Sequence, residues 1–253
     1  MARYEFATHR LFVEVPLAPD ARVPLTPEAF NYLAHVLRMP EGGRVLLFNG
    51  RDGEFEGSFA LTGKKAGAVH VGARTRAQDS PGRITLAFAP LKSARLDYLV
   101  QKAVEMGAAR LVPVLTRRTQ MRGTRPEKLR AWAIEAAEQC GILSLPRIDP
   151  EVALDAFLDR HPPEETIVFC DEDAEVADPV AALRSAGPEA GHGGGLTLLI
   201  GPEGGFEAGE RARLNARPNV IRLSLGPRIL RADTAAVAAL AALQIALGDW
   251  RAD

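Results

Sequence analysis

Two apolar runs near the C-terminus each end in a glycine–proline loop. One is Leu198-Leu199-Ile200-Gly201-Pro202-Glu203-Gly204-Gly205-Phe206, the other Ile221-Arg222-Leu223-Ser224-Leu225-Gly226-Pro227-Arg228-Ile229-Leu230-Arg231. Glycine at a strand end leaves the main chain open to close approach. The proline beside it removes an amide donor and fixes the turn. Two such loops at neighbouring strand ends make a narrow slot lined by backbone, at the sheet edge where open α/β proteins bind ligands. Either loop alone reads as an ordinary strand-to-helix turn. The pair, followed by Arg231-Ala232-Asp233-Thr234-Ala235, reads as a binding site.

Other chemistries lack their parts. No Gly-x-Gly-x-x-Gly follows a first strand, and Gly201-Pro202-Glu203-Gly204-Gly205 has no lysine or hydroxyl where a P-loop needs them. No Gly-x-Ser-x-Gly elbow occurs. Glu203 beside the slot would repel a polyphosphate and favour a cation such as a sulfonium. His9, His35, His70, His161 and His192 show no ligand spacing, which predicts no metal site. Cys140 and Cys170 lack metal or redox spacing and read as reduced, buried thiols.

The 253 residues, 47% hydrophobic and 25% charged, suffice for one large or two moderate globular domains. No apolar run reaches bilayer-spanning length, and Met1–Phe6 lacks a signal-peptide stretch. A cytoplasmic protein is expected. The net charge of −1 hides an asymmetry: residues 79–130 carry eleven Lys/Arg against four Asp/Glu, and residues 131–253 carry ten against twenty. The excess around Arg117, Arg118, Arg122, Arg125 and Lys128 is either a solvated face or a phosphate-binding surface.

The elements that must position these groups fall in two styles. Up to about residue 75 the pattern is short strands with one helix: Arg10–Val15, a helix from Pro27 toward Val36 capped by Thr26, Arg44–Phe48, the turn Asn49–Gly53, Glu54–Leu61 and Ala68–Val71. This predicts a small barrel, with Gln78–Gly82 as linker. From residue 83 strands and helices alternate. Strands are expected at Ile84–Ala89, Leu111–Leu115, Thr166–Cys170 and into Gly201 and Gly226. Helices are expected at Ala94–Gly107, Pro126–Cys140, Pro179–Ala186, Glu207–Asn215 and Thr234–Leu247. The glycine loop 190–195 reads as a flexible connection. Such alternation predicts a mostly parallel sheet with helices on both faces. The alanine-dense last helix suits close packing, within the chain or against a second copy.

These residues resemble the SPOUT class of methyltransferases, and within it the family that methylates N3 of a uridine in bacterial small-subunit (16S) ribosomal RNA. The resemblance is carried by Ile200–Phe206 with Glu210, by Leu223–Arg231, by Gln101-Lys102-Ala103-Val104-Glu105-Met106-Gly107 and by Glu135–Gly141. In the N-terminal part it is carried by His35–Arg38 and Leu47–Gly50. It implies an α/β fold whose C-terminal parallel sheet, over 83–253, is tied in a deep trefoil knot. A small PUA-like β-barrel occupies 1–77. It further implies S-adenosyl-L-methionine held by Leu199, Ile200, Gly201, Glu203, Gly204, Leu223, Leu225, Gly226, Ile229 and Leu230. The expected partners are 16S ribosomal RNA or the assembled small subunit, and a second copy in a homodimer, without metal or membrane. Two departures stand out. The family's arginine after the glutamate–glutamine helix is absent at Ile142-Leu143-Ser144, and its threonine–glutamate–threonine is Ala232-Asp233-Thr234 here.

Uracil N3 is a poor nucleophile while it carries its proton, so methyl transfer needs that proton removed and the imide anion stabilised. Arg231 is expected to stabilise the anion and Asp233 to accept the proton, with a helix cap as the alternative for Asp233. The target must be unpaired or flipped out. Arg117, Arg118, Arg122 and Arg125, with Arg3, Arg10 and Arg38 of the barrel, are the expected RNA contacts. Competing readings are a SPOUT enzyme acting on transfer RNA and a non-catalytic RNA-binding assembly factor.

Overall fold

The computed structural model describes residues 8–175, 178–185 and 195–250. Arg3 and most of the glycine loop 190–195 lie outside them. The chain forms two compact units, residues 1–80 with 134–145, and residues 81–133 with 146–253. The boundary falls inside the expected linker, and a segment of the long helix from Pro126 is counted with the first unit.

The first unit is a five-stranded sheet in the order β1-β3-β4-β5-β2. Its strands are β1 (Arg10–Phe12), β2 (Arg22–Pro24), β3 (Arg44–Phe48), β4 (Glu54–Gly63) and β5 (Ala66–Arg76). β1 runs parallel to β3, and the remaining pairs are antiparallel. Helix α1 (Pro27–Asn31) starts where expected: Thr26 Oγ1 accepts the Ala29 amide at 3.2 Å. One wide turn, Tyr32–Val36, continues it. Alternate strand residues and Phe30 and Leu33 bury a common core with Val45, Leu47, Phe59 and Val69. The Asn49 side chain builds the turn between β3 and β4. Its Oδ1 accepts the amides of Arg51 and Asp52, both at 3.0 Å.

The second unit carries a seven-stranded sheet. Its elements are β6 (Ile84–Phe88), α2 (Ser93–Glu105), β7 (Ala108–Leu115), α3 (Pro126–Cys140), β8 (Arg147–Ile148), β9 (Val152–Ala153), α4 (Leu154–Arg160), β10 (Thr166–Cys170), α5 (Pro179–Ser185), β11 (Leu196–Ile200), α6 (Ala208–Asn215), β12 (Val220–Leu223) and α7 (Ala232–Ala246). The strand order is β12-β10-β11-β6-β7-β8, with β9 also on β7, and all of these pairs are parallel. Register aligns Val168, Leu198, Leu86 and Leu111 in one row and Phe169, Leu199, Ala87 and Val112 in the next. Both rows are buried, because successive strand residues point to opposite faces and both faces are covered. The second row packs with Phe157, Leu158 and Leu214 of α4 and α6. Helix α7 packs on α2, α5 and β11. Its buried Gln244 donates to the Met106 carbonyl at 2.7 Å, closing the end of α2.

One expectation needs correction. The strands entering the two glycine–proline loops, β11 and β12, are not neighbours. β10 lies between them and pairs with both.

Candidate functional site

Because β10 lies between β11 and β12, three strand ends meet at one edge of the sheet. Asp171-Glu172 follows Cys170 at the end of β10, Gly201–Phe206 follows β11 and Ser224–Leu230 follows β12. Together with Ala232 and Ala235 they line a cleft of about 370 Å³, within the range of small-molecule sites. Of the expected cofactor residues, Ile200, Gly201, Glu203, Gly204, Leu223, Leu225, Gly226, Ile229 and Leu230 line it. Leu199 does not. It is fully buried in the core on the α6 side of the sheet.

The glycines have separate jobs. A Cβ at Gly201 would stand 2.6 Å from the Phe206 ring, which itself packs edge-on against Phe169 with centroids 4.9 Å apart. Gly201 therefore lets the loop fold back on the core. Gly226 has φ +96°, and a Cβ there would meet nothing within 4 Å. That main chain faces open cleft rather than protein.

The missed strand end holds the walls together. The Asp171 carboxylate is fully buried and accepts Arg222 Nε at 2.9 Å and Nη2 at 2.8 Å. Arg211 Nη2 stands 3.4 Å from its other oxygen and 2.9 Å from Glu172, and Arg211 Nη1 pairs with Asp173. Burial alone would lower the Arg211 pKa, but Asp171, Asp173 and Glu172 hold it above its ordinary value. One buried carboxylate thus ties the β10 loop to β12 and α6. Burial first, and then Asp171, push the Cys170 thiol up to about 12, so Cys170 lines the cleft as a neutral group and not as a nucleophile. Nothing in the spacing pointed to Asp171, Arg211 or Arg222. Their roles depend on strand order, which periodicity does not encode.

Glu203 pairs with Arg95 of α2 at 3.0 Å, both side chains partly exposed. Its charge is therefore matched within the chain, which weakens the argument that it alone repels a polyphosphate. Glu210 is buried and closes a capping box with Glu207. It also accepts the Arg117 amide at 2.8 Å. Arg118 Nη1 donates to the Gly204 carbonyl at 2.6 Å. The exposed arginines of the 117–118 turn are thereby fixed to the rim of the cleft.

Arg231 and Asp233 do not line the cleft, but they flank Ala232, which does. Arg231 is exposed and has no ion-pair partner among the described residues. It also stands at the N-cap position of α7. Asp233 therefore is not the cap residue. It sits in the first turn, Oδ1 accepting the Thr234 amide at 2.9 Å, where its charge suits the helix dipole.

The remaining expected RNA contacts separate. Arg38 is exposed in the first unit, and Arg122 and Arg125 line a different cleft of the second. Arg10 is a correction. It is only 5% exposed, and its Nε donates to the buried Glu54 at 3.0 Å. Glu54 also accepts Thr75 Oγ1 at 2.9 Å. A guanidinium enclosed in this way is structural and cannot reach a phosphate. Among the described residues no group of His, Cys, Asp and Glu is placed to hold a metal ion. No described helix is long and apolar enough to cross a membrane.

Comparison with known proteins agrees with this architecture. The RNA methyltransferase domain family matches residues 78–244, and the RNA methyltransferase PUA domain family matches residues 25–70. Ribosomal RNA small subunit methyltransferase E of Rickettsia conorii is 28% identical, covering 94% of this chain and 95% of that protein. The Bacillus subtilis protein of the same name is 27% identical over 92% and 95%. An unconfirmed methyltransferase from Legionella pneumophila, solved with its cofactor SAM, superposes with a TM-score of 0.81. It is 31% identical, over 94% of this chain and 97% of the other. A ribosomal RNA small subunit methyltransferase E from Neisseria gonorrhoeae bound to S-adenosyl methionine gives 0.80 and 26%, over 94% and 97%. With a SPOUT-like parallel sheet, a PUA-like N-terminal unit and relatives along nearly its whole length, the chain belongs to the RNA methyltransferase domain family.

Proposed function

We propose that this RNA methyltransferase uses S-adenosylmethionine to methylate N3 of a uridine in 16S ribosomal RNA, in the cytoplasm. The observation that carries this is the cleft itself, lined by the glycine loops after β11 and β12 and by Ala232, whose neighbours in the chain are Arg231 and Asp233. The names of the relatives support the ribosomal substrate, and the S-adenosylmethionine bound in two structural neighbours supports the cofactor.

The cleft residues fit that cofactor. Open main chain at Gly226 and apolar walls from Ile200, Leu223, Leu225 and Leu230 suit a nucleoside. Asp171, Glu172 and Glu203 of the lining are each paired with an arginine, so the fit to a sulfonium rests on the open main chain and apolar walls and not on net negative charge. When bound, the cofactor supplies a methyl group activated by that positive sulfur. The chain supplies the rest. Arg231 presents a guanidinium with no ion-pair partner among the described residues to stabilise the imide anion. Asp233 takes up the N3 proton, directly or through water, on Oδ2, which carries no hydrogen bond among the described residues. Arg117 and Arg118 hold phosphates beside the cleft, and Arg38 does so from the PUA-like unit.

The course of the chain around β10 is consistent with the trefoil knot. It enters β11 and β12 on opposite sides of β10, then α7 returns to pack on β11 and α2. Ile229, 96% exposed at the cleft, is apolar surface that a second copy in a homodimer would cover. The test is labelled-methyl transfer into 16S and transfer RNA pools, with nucleoside mapping, for wild type, Arg231→Ala and Asp233→Asn. Loss of turnover with an intact melting shift on S-adenosylmethionine supports the assignment. Near-normal turnover in both variants removes it, and a modified nucleoside other than N3-methyluridine removes the proposed target.

A further inference from the structure

A second cleft, of about 140 Å³, opens where the N-terminal ends of α2 and α3 approach each other. Leu91, Leu129 and Trp132 contribute apolar lining, and Arg122, Arg125 and Lys128 contribute charge. No carboxylate is among its lining residues. Glu151, which is not among the lining residues, braces the loop that carries Arg122 and Arg125, and against burial, which would raise its pKa, the Arg122 charge in turn helps the loop's hydrogen bonds hold it below the ordinary value. Its carboxylate accepts the Thr124 amide at 2.7 Å, the Thr124 hydroxyl at 2.8 Å and the Gly123 amide at 2.9 Å. Arg125 has no ion-pair partner among the described residues. Lys128 Nζ stands 4.8 Å from the centroid of the half-buried Trp132 ring and 3.2 Å from Ser93 Oγ.

An aromatic ring fringed by cations is the recognition chemistry of single-stranded nucleic acid: the ring stacks a base and the cations neutralise its phosphate. A duplex keeps its bases stacked inside and offers the ring nothing. We infer that this cleft holds an unpaired nucleotide of the RNA substrate other than the one methylated, its base on Trp132 and its phosphate among Arg122, Arg125 and Lys128. The inference rests on the RNA methyltransferase reading above and adds a second point of attachment. The Lys128 ammonium, which now covers the ring, is the group a phosphate draws aside.

The protein has two tryptophans, so the Trp250→Phe protein reports Trp132 alone. Its emission is titrated with a uridine decamer and with a blunt RNA duplex of equal length, alongside its methylation of 16S RNA. The decamer should quench Trp132 and the duplex should not. Trp132→Ala should bind the decamer about tenfold more weakly, and Trp132→Phe should retain most of the affinity. Each variant should keep its melting shift with S-adenosylmethionine. Methylation without quenching, equal quenching by the duplex, or wild-type binding by a folded Trp132→Ala protein overturns the subsite while leaving the enzyme reading intact. Absence of both methylation and decamer binding overturns the two together.

Discussion

Gly226→Ala separates a ligand-facing glycine from one required by packing. The new methyl group would meet no protein atom within 4 Å, so its cost to the free protein is backbone strain at φ +96°. Strain of that kind amounts to roughly 1–3 kcal/mol and lowers the melting temperature by several degrees in a unit of this size, at about 2–4 °C per kcal/mol. The same methyl group stands in the cleft where the cofactor would lie. At about 100 times its dissociation constant, S-adenosylmethionine should stabilise the wild type by about 2.7 kcal/mol, a rise of roughly 5–10 °C. In Gly226→Ala that rise should vanish. Gly209→Ala, also with no atom within 4 Å but inside helix α6, is the control. In the first turn of the helix it should be neutral or slightly stabilising and keep the full shift. Differential scanning fluorimetry with and without cofactor reads both. A full ligand shift in Gly226→Ala would refute the idea that bare main chain at this loop grips the ligand.

Asp171→Asn should cost about 1–3 kcal/mol, because the buried acceptor of Arg222 loses its charge, and should weaken cofactor binding. An unchanged melting temperature would show that the β10 loop is held by something else. Arg10→Ala should destabilise the first unit by about 1–3 kcal/mol, less than a stranded charge would cost because buried Glu54 keeps Arg76 at 3.5 Å and Thr75, seen in urea unfolding, while leaving the salt dependence of RNA binding unchanged. Arg122→Ala should instead leave stability unchanged and reduce the single-strand salt slope by roughly 0.7. Glu138 is held at about 7, by burial chiefly, against the amide of Phe12 that lowers it, with Glu135 raising it further. The folded state therefore binds a proton that the unfolded chain has released, and stability falls as pH rises from about 4.5 to about 7. The fall amounts to about 3 kcal/mol. Glu138→Gln should flatten this slope, and a slope unchanged in that variant would place its origin elsewhere.

Much of the fold was legible from local signals. Pro126 and Gly107 mark helix limits that the structure keeps, and Thr26 caps α1. The cleft loops were legible because glycine and proline report backbone geometry directly. Three things were not. β8 and β9 are two residues each, too short for any period. Arg10 looked like surface charge, because the partner that buries it, Glu54, lies on a strand far away in sequence. The insertion of β10 between β11 and β12 is a matter of long-range order, and with it went Asp171, the residue that joins the walls.

That insertion also shapes how the chain must mature. β10 is made first but pairs on both sides with strands that come later, β11 and then β12. Until the second arrives, one of its edges carries unsatisfied amides and carbonyls, an invitation to other chains. A product halted before β12 would thus be sticky as well as inert, and competence to engage the methyl donor doubles as a certificate of completed folding.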